Sequence, residues 1–247
     1  MLFRSTQPSG LAVQDAVERA LSEIAGERVA TICAGRTDTG VHATAQVVHF
    51  DCMAERPETA WIRGTNALLP TAVAVTWARP VTAEFHARFS AMARHYRYVM
   101  LNHPVRGALD HGRSGWYHAP LDVAAMRAAA EVLTGEHDFS AFRSSECQAK
   151  SPVRRLTQLT MTEARPYILF DFCANGFLHH MVRNLIGSLV YVGNGRQNAS
   201  WLAGVLASRD RARAAPTFDA AGLYLTGVDY DARWGLPGPR LTVGGLI

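Results

Sequence analysis

"LTQLTMTEARPYILFDFCA", residues 156–174, contains two β-prone runs rich in Thr, Ile, Phe and Tyr, broken at Arg165-Pro166. Such residues favour strands, and the Arg-Pro step marks a turn between two antiparallel partners. A largely apolar helix, HHMVRNLIGSLVYVG (179–193), follows the pair. Reading upstream, HYRYVMLN (95–102) alternates like a strand, and LDVAAMRAAAEVLTG (121–135) has helical periodicity with Gly135 at its stop. Downstream come a shorter helix, WLAGVLASR (201–209), and a closing strand, GLYLTGVDY (222–230). The order β-α-β-β-α-β is the ferredoxin-like unit.

The first third repeats this order without its opening strand. Residues 11–25 place Val13, Val17, Leu21 and Ile24 on one helix face, and Gly26 suits the stop. RVATICAG (28–35) and QVVHFDC (46–52) read as strands, AWIRGTNALLP (60–70) as a short helix and VAVTWA (73–78) as a strand. An α+β fold of two ferredoxin-like subdomains is therefore expected, residues 1–82 and 83–247, with the junction in RPVTAEFHAR (79–88). Their strands would join in one antiparallel sheet with helices on one face, leaving the bare face free for a ligand. The opening strand is missing from MLFRSTQPSG, and a start upstream of Met1 is the expected reason.

The chain has 247 residues, 48% hydrophobic and 19% charged, enough for a sizeable core. No apolar run reaches the roughly 18 to 20 residues of a membrane helix, and the N-terminus lacks the apolar core of a secretory signal, so a cytoplasmic protein is expected. The four cysteines, Cys33, Cys52, Cys147 and Cys173, lie far apart and read as reduced structural thiols. Of 25 basic residues only Lys150 is lysine. Arginine contacts phosphate in bidentate fashion and stacks on bases, and a pI near 9.1 suits a polyanionic partner.

"CAGRTDTGVHA" (33–43) is the stretch richest in candidate chemistry. Its glycines and threonines favour a turn, but Asp38 at its centre is also a candidate functional carboxylate, with Arg36 close enough in sequence to favour its ionised form. In ARFSAMARHYRY (87–98), Arg88, Arg94 and Arg97 interleave with Tyr96 and Tyr98. Either a base-stacking surface or buried core tyrosines would give that pattern. Arg183 stands in an otherwise apolar helix and needs a carboxylate partner, Asp38 being the natural one, unless its side chain snorkels to the surface. No metal site is expected, because adjacent histidines such as His179 and His180 would point about 100° apart on a helix. No G-x-S-x-G, Walker A or G-x-G-x-x-G motif occurs, which argues against serine hydrolases, P-loop enzymes and dinucleotide oxidoreductases.

"AGRTDTGVHA" resembles the signature loop of the tRNA pseudouridine synthase A family, and further blocks follow in the family's order: "AQVVHF", "FHARFSA", "RHYRY", "DFSAFR", "HHMVRN" and "GLYL". They span roughly residues 7 to 230. The resemblance implies an isomerase that converts uridine to pseudouridine in the tRNA anticodon stem-loop, at nucleotide positions 38, 39 and 40. It implies a homodimer and no cofactor. It also implies that Asp38 is the catalytic carboxylate, Tyr96 the residue on the target base and Arg183 the partner of the aspartate, and it places Arg36 in the same loop. The competing readings are a catalytically silent RNA-binding module on the same architecture and a pseudouridine synthase acting on another RNA position.

Overall fold

The structure is a computed structural model and describes residues 12–238. The expectation of a missing opening strand concerns residues outside that range. The first described element, α1 (Val13–Ala25), buries Val13, Val17, Ala20 and Leu21 and ends at Gly26 in the left-handed conformation, φ 74°. Then come β1 (Ile32–Cys33), β2 (His42–Ala43), β3 (Val48–His49) and a π-helical turn (Ala60–Gly64) running into α2 (Thr65–Leu68). Next are β4 (Ala91–Asn102), β5 (Gly115–Tyr117), α3 (Val123–Ala130), β6 (Gly135–Asp138), β7 (Val153–Ala164) and β8 (Tyr167–Ala174). After these come α4 (Met181–Gly193), α5 (Ala199–Ser208) and β9 (Leu223–Tyr230).

The long strands lie where the sequence places them, and β7 and β8 pair antiparallel from Leu156 opposite Ala174 to Ala164 opposite Tyr167. The main sheet has the order β2-β9-β4-β8-β7-β6. It is mixed rather than wholly antiparallel: β2 runs parallel to β9, and β5 runs parallel to the last three residues of β4. The first part therefore contributes only β2 to this sheet, while β1 and β3 form a separate two-stranded ladder.

All three expected strands of the first part are reduced, residues 46–52 to Val48–His49, and in the other two side chains satisfy the backbones. Thr31 donates its N–H to Glu18 at 2.8 Å, and its carbonyl accepts from Gln14 at 3.0 Å, both side chains projecting from α1. Val29 N–H goes to Ser22 Oγ in the same way. Residues 73–78 form no ladder, and the Asn66 amide takes both the N–H and the carbonyl of Val75, at 2.7 and 2.8 Å. A backbone group already bonded has no reason to seek a neighbouring strand.

The large core lies between the main sheet and α3, α4 and α5, where Tyr98, Met100, Phe170 and Phe172 meet Met126, Leu185, Ile186 and Leu202. A smaller cluster gathers around α1. All four cysteines are free thiols. Among the described residues no helix is long and apolar enough to cross a membrane.

Helix α4 is seated on backbone as well as on side chains. A Cβ at Gly187 would overlap the Pro216 carbonyl oxygen, and Asn184 ties the helix to Phe142, Arg211 and Thr217. Gly187→Ala is expected to cost about 1–3 kcal/mol, read as a lower urea midpoint at unchanged slope. An unchanged midpoint would show that α4 can shift freely, contrary to this packing.

Candidate active site

Asp38 sits at the head of a turn. Its carbonyl accepts the Val41 N–H at 3.1 Å, and Gly40 takes φ 83°, a conformation that glycine adopts without strain. The segment leading into the turn is pinned from three sides. Ala34 N–H bonds Val47 O, the Gln46 side chain brackets the Gly35 peptide, and Arg94 Nη2 donates to Ala34 O at 3.1 Å. The same Arg94 reaches Ala91 O, Asn175 O and Arg88 O, so one guanidinium joins four stretches of chain.

Opposite the turn stands the beginning of α4. Arg183, in its first turn, donates from Nη1 to Asp38 Oδ2 at 2.9 Å and from Nε to Phe218 O at 2.8 Å. The pairing of Asp38 with Arg183 expected from sequence is present, and the snorkelling alternative is not: the Arg183 side chain is 16% exposed.

His179 and His180 do not diverge as two adjacent residues of a helix would. Helix α4 begins only at Met181, and His180 before it has φ 63°, a left-handed conformation uncommon for residues other than glycine. That kink removes the helical 100° separation. His179 Nε2 lies 3.2 Å from Asp38 Oδ1 and His180 Nε2 3.3 Å from Oδ2, the two rings packing 4.0 Å apart. These three side chains are the one group among the described residues with metal-ligand spacing. Arg183 already holds Oδ2 and supplies positive charge there, so a cation would have to compete with it.

Tyr96 on β4 is 8% exposed and meets Phe177 edge-on, centroids 5.0 Å apart. Burial raises its phenol well above the ordinary value and Asp38 adds to this, Arg94 opposing, so the hydroxyl keeps its proton at neutral pH. A register shift between β4 and β9 falls at His95/Tyr96, and such bulges re-aim side chains next to sites.

Asp38, Tyr96 and Arg183 line one open cleft of about 1040 Å³, together with Arg36, Arg88, Arg94, Arg154, Phe89, Phe177 and both histidines. Two expectations change here. Tyr96 shares the helix-covered side of the sheet with the large core, so the gathered residues are not on the bare face. That other face carries half-buried polar pairs instead, the Arg97–Asp171 ion pair and the contact of His95 with Asp229. Arg36 is exposed at the rim and forms no ion pair with Asp38 among the described residues. Of the interleaved tyrosines, Tyr98 is a core residue whose hydroxyl bonds Asp219 O.

Sequence reasoning missed the histidines as carboxylate partners and Arg94 as a clamp. The paired histidines were visible, but the signal that mattered, the exact start of α4, was not.

Burial holds the His180 imidazole below the ordinary histidine value; Asp38 opposes this, while His179 and Arg183 add to it. The unfolded chain therefore takes up this proton near pH 6.5, before the folded one does, and stability is lost as pH falls below that point. His180→Asn, which tolerates positive φ, is expected to narrow the difference in Tm between pH 7.5 and 5.5. An unaltered difference would remove His180 as a source of acid sensitivity.

The sequence profile of the tRNA pseudouridine synthase family matches residues 2–90 and 129–231. The chain is 61% identical over 232 residues to the tRNA pseudouridine synthase A of Thiobacillus denitrificans, covering 94% of this chain and 89% of that protein. It is 59% identical over 236 residues to that of Burkholderia thailandensis, covering 96% and 87%. To that of Dechloromonas aromatica it is 55% identical over 235 residues, covering 95% and 90%. A carboxylate gripped by an arginine and two histidines in a basic cleft thus occurs in a chain similar over nearly its whole length to enzymes of one kind: the chain belongs to the tRNA pseudouridine synthase A family.

Proposed function

We propose that this enzyme, an isomerase of uridine to pseudouridine in tRNA, acts on the anticodon stem-loop at nucleotide positions 38, 39 and 40, with Asp38 as nucleophile and no cofactor. The observation that carries this reading is the Asp38 carboxylate, with one oxygen at 2.9 Å from Arg183 and the other at 3.2 Å from His179, inside a cleft lined by five arginines (Arg36, Arg88, Arg94, Arg154 and Arg183).

The reaction breaks the N1–C1′ bond, turns the base and forms a C5–C1′ bond. The hydrogen on C5 leaves as a proton and N1 gains one, so atoms balance without an oxidant, a reductant or net water. What the protein must supply is a nucleophile held in place, a pocket that keeps the detached base, and neutralisation of the RNA backbone. Asp38 fills the first role, aimed by Arg183. Tyr96, at the cleft wall with its proton retained, meets the flipped base as ring surface and hydrogen-bond donor, not as a phenolate. Arg36 at the exposed rim suits a phosphate.

The finer architecture belongs to the same reading. The succession β4-α3-β7-β8-α4-β9 in the spatial order β9-β4-β8-β7 supports a ferredoxin-like unit in residues 83–247, with residues 1–82 a related, reduced one. The enzyme would work as a homodimer in the cytoplasm.

Asp38→Ala is expected to abolish tritium release from tRNA labelled at uridine C5 while tRNA Kd stays within about threefold, since phosphate contacts dominate affinity. Wild-type turnover by that variant would overturn the nucleophile, and product mapped outside the anticodon stem-loop would overturn the substrate position. Arg183→Lys keeps a charge but loses the forked grip on Asp38 and Phe218 O; kcat is expected to fall about 100-fold, the effect of a misplaced reacting group.

A further inference from the structure

We infer that Phe89 is a stacking platform for an unpaired base next to the target uridine, a subsite that deepens the tRNA reading above and rests on it. Phe89 is 76% exposed and lines the cleft that holds Asp38. A single exposed phenylalanine is unremarkable on a protein surface; its mounting is what sets this one apart.

The ring stands on a rigid turn. His86 Nδ1 accepts the N–H groups of Arg88 and Phe89, at 3.1 and 3.2 Å, and Ser90 N–H closes the turn onto His86 O at 2.8 Å. The His86 ring backs the Phe89 ring, centroids 4.3 Å apart and 31° from parallel. The Ala87 N–H inside the same turn is held by His49. Arg94 then couples the turn to the reacting carboxylate: Nη2 donates both to Arg88 O at 2.6 Å and to Ala34 O at 3.1 Å, at the head of the Asp38 loop. The relative position of Phe89 and Asp38 is thus set before RNA binds, which lowers the ordering cost of binding.

The surroundings define the ligand. Arg88 lies over the ring, its guanidinium carbon 5.6 Å from the centroid, and Arg36 and Arg154 line the same cleft. A largely exposed aromatic ring with arginines around it suits a nucleotide, its base taking the place of the Arg88 guanidinium on the ring and its phosphate going to the arginines. Phenylalanine has no donor or acceptor, so the subsite takes any base and reads no sequence.

The test compares Phe89→Ala, Phe89→Leu and Phe89→Trp against unmodified tRNA transcript, with 2-aminopurine placed beside the target uridine. Phe89 is exposed, so the variants should retain the wild-type Tm. Stacking predicts that Ala and Leu weaken binding by about tenfold or more while Trp at least matches wild type. It also predicts that 2-aminopurine fluorescence is quenched by wild type and Trp but not by Leu. Wild-type affinity and quenching in the Leu variant would overturn the inference. So would a change in its sedimentation mass with RNA affinity intact, since the ring would then be a protein contact. If wild type makes no pseudouridine, the tRNA reading itself fails; if it does and the Leu variant is normal, only this subsite fails.

Discussion

The ion pair between Asp38 and Arg183 joins positions 145 apart in the chain and brings a surface turn against the beginning of a core helix. Both side chains are largely withdrawn from water, at 18% and 16% exposure, so each is costly without the other; removing one partner of such a pair typically costs about 3–5 kcal/mol. Its geometry depends on both sides being rigid. On one side Gly187, Asn184 and the Phe218 carbonyl seat α4 and Arg183. On the other, Gln46 and Arg94 hold the approach to the turn.

Arg94 shows how one charge can serve structure and site together. Its guanidinium donates to four carbonyls, from Ala34, Arg88, Ala91 and Asn175. Carbonyl oxygens exposed at loop ends need donors, and a planar fork satisfies several in one plane. The cleft is consequently framed by loops that cannot drift apart independently: the Asp38 loop, the His86–Ser90 turn and the end of β8. Of the other cleft arginines, Arg183 is committed to Asp38, whereas Arg36, Arg88 and Arg154 form no ion pair among the described residues.

Strand β4 has a comparable role in the fold. It is bordered along one edge by β8 and along the other by β9 and then β5, so its side chains serve both layers. Tyr98, Met100 and Tyr96 go to the helix-covered core, and Arg97 goes to the opposite face, where Asp171 neutralises it. The tyrosines look alike in "RHYRY" and its neighbours, yet Tyr98 lies deep in the core and Tyr96 at the cleft wall. The distinction comes from position along the strand relative to α4 and the Asp38 turn, which alternation cannot report.

Periodicity and residue type alone determined the long elements: β4, β7, β8, β9, α1 and α4 follow from local preference that packing reinforced. They also marked Asp38 and Arg183 as charges in need of partners, and the block resemblance pointed to the family. Tertiary structure decided the rest. Residues 28–35 and 73–78 are β-prone, but Glu18, Gln14 and Asn66 satisfied their backbones first. His179 and His180 became carboxylate partners only because a left-handed residue precedes α4, and a two-residue change in a helix start is invisible to a periodic pattern. Arg36, two residues before Asp38 in sequence, lost that carboxylate to Arg183 far along the chain. Closeness in sequence fixes only local geometry, whereas an ion pair forms where burial and packing bring opposite charges to hydrogen-bonding distance.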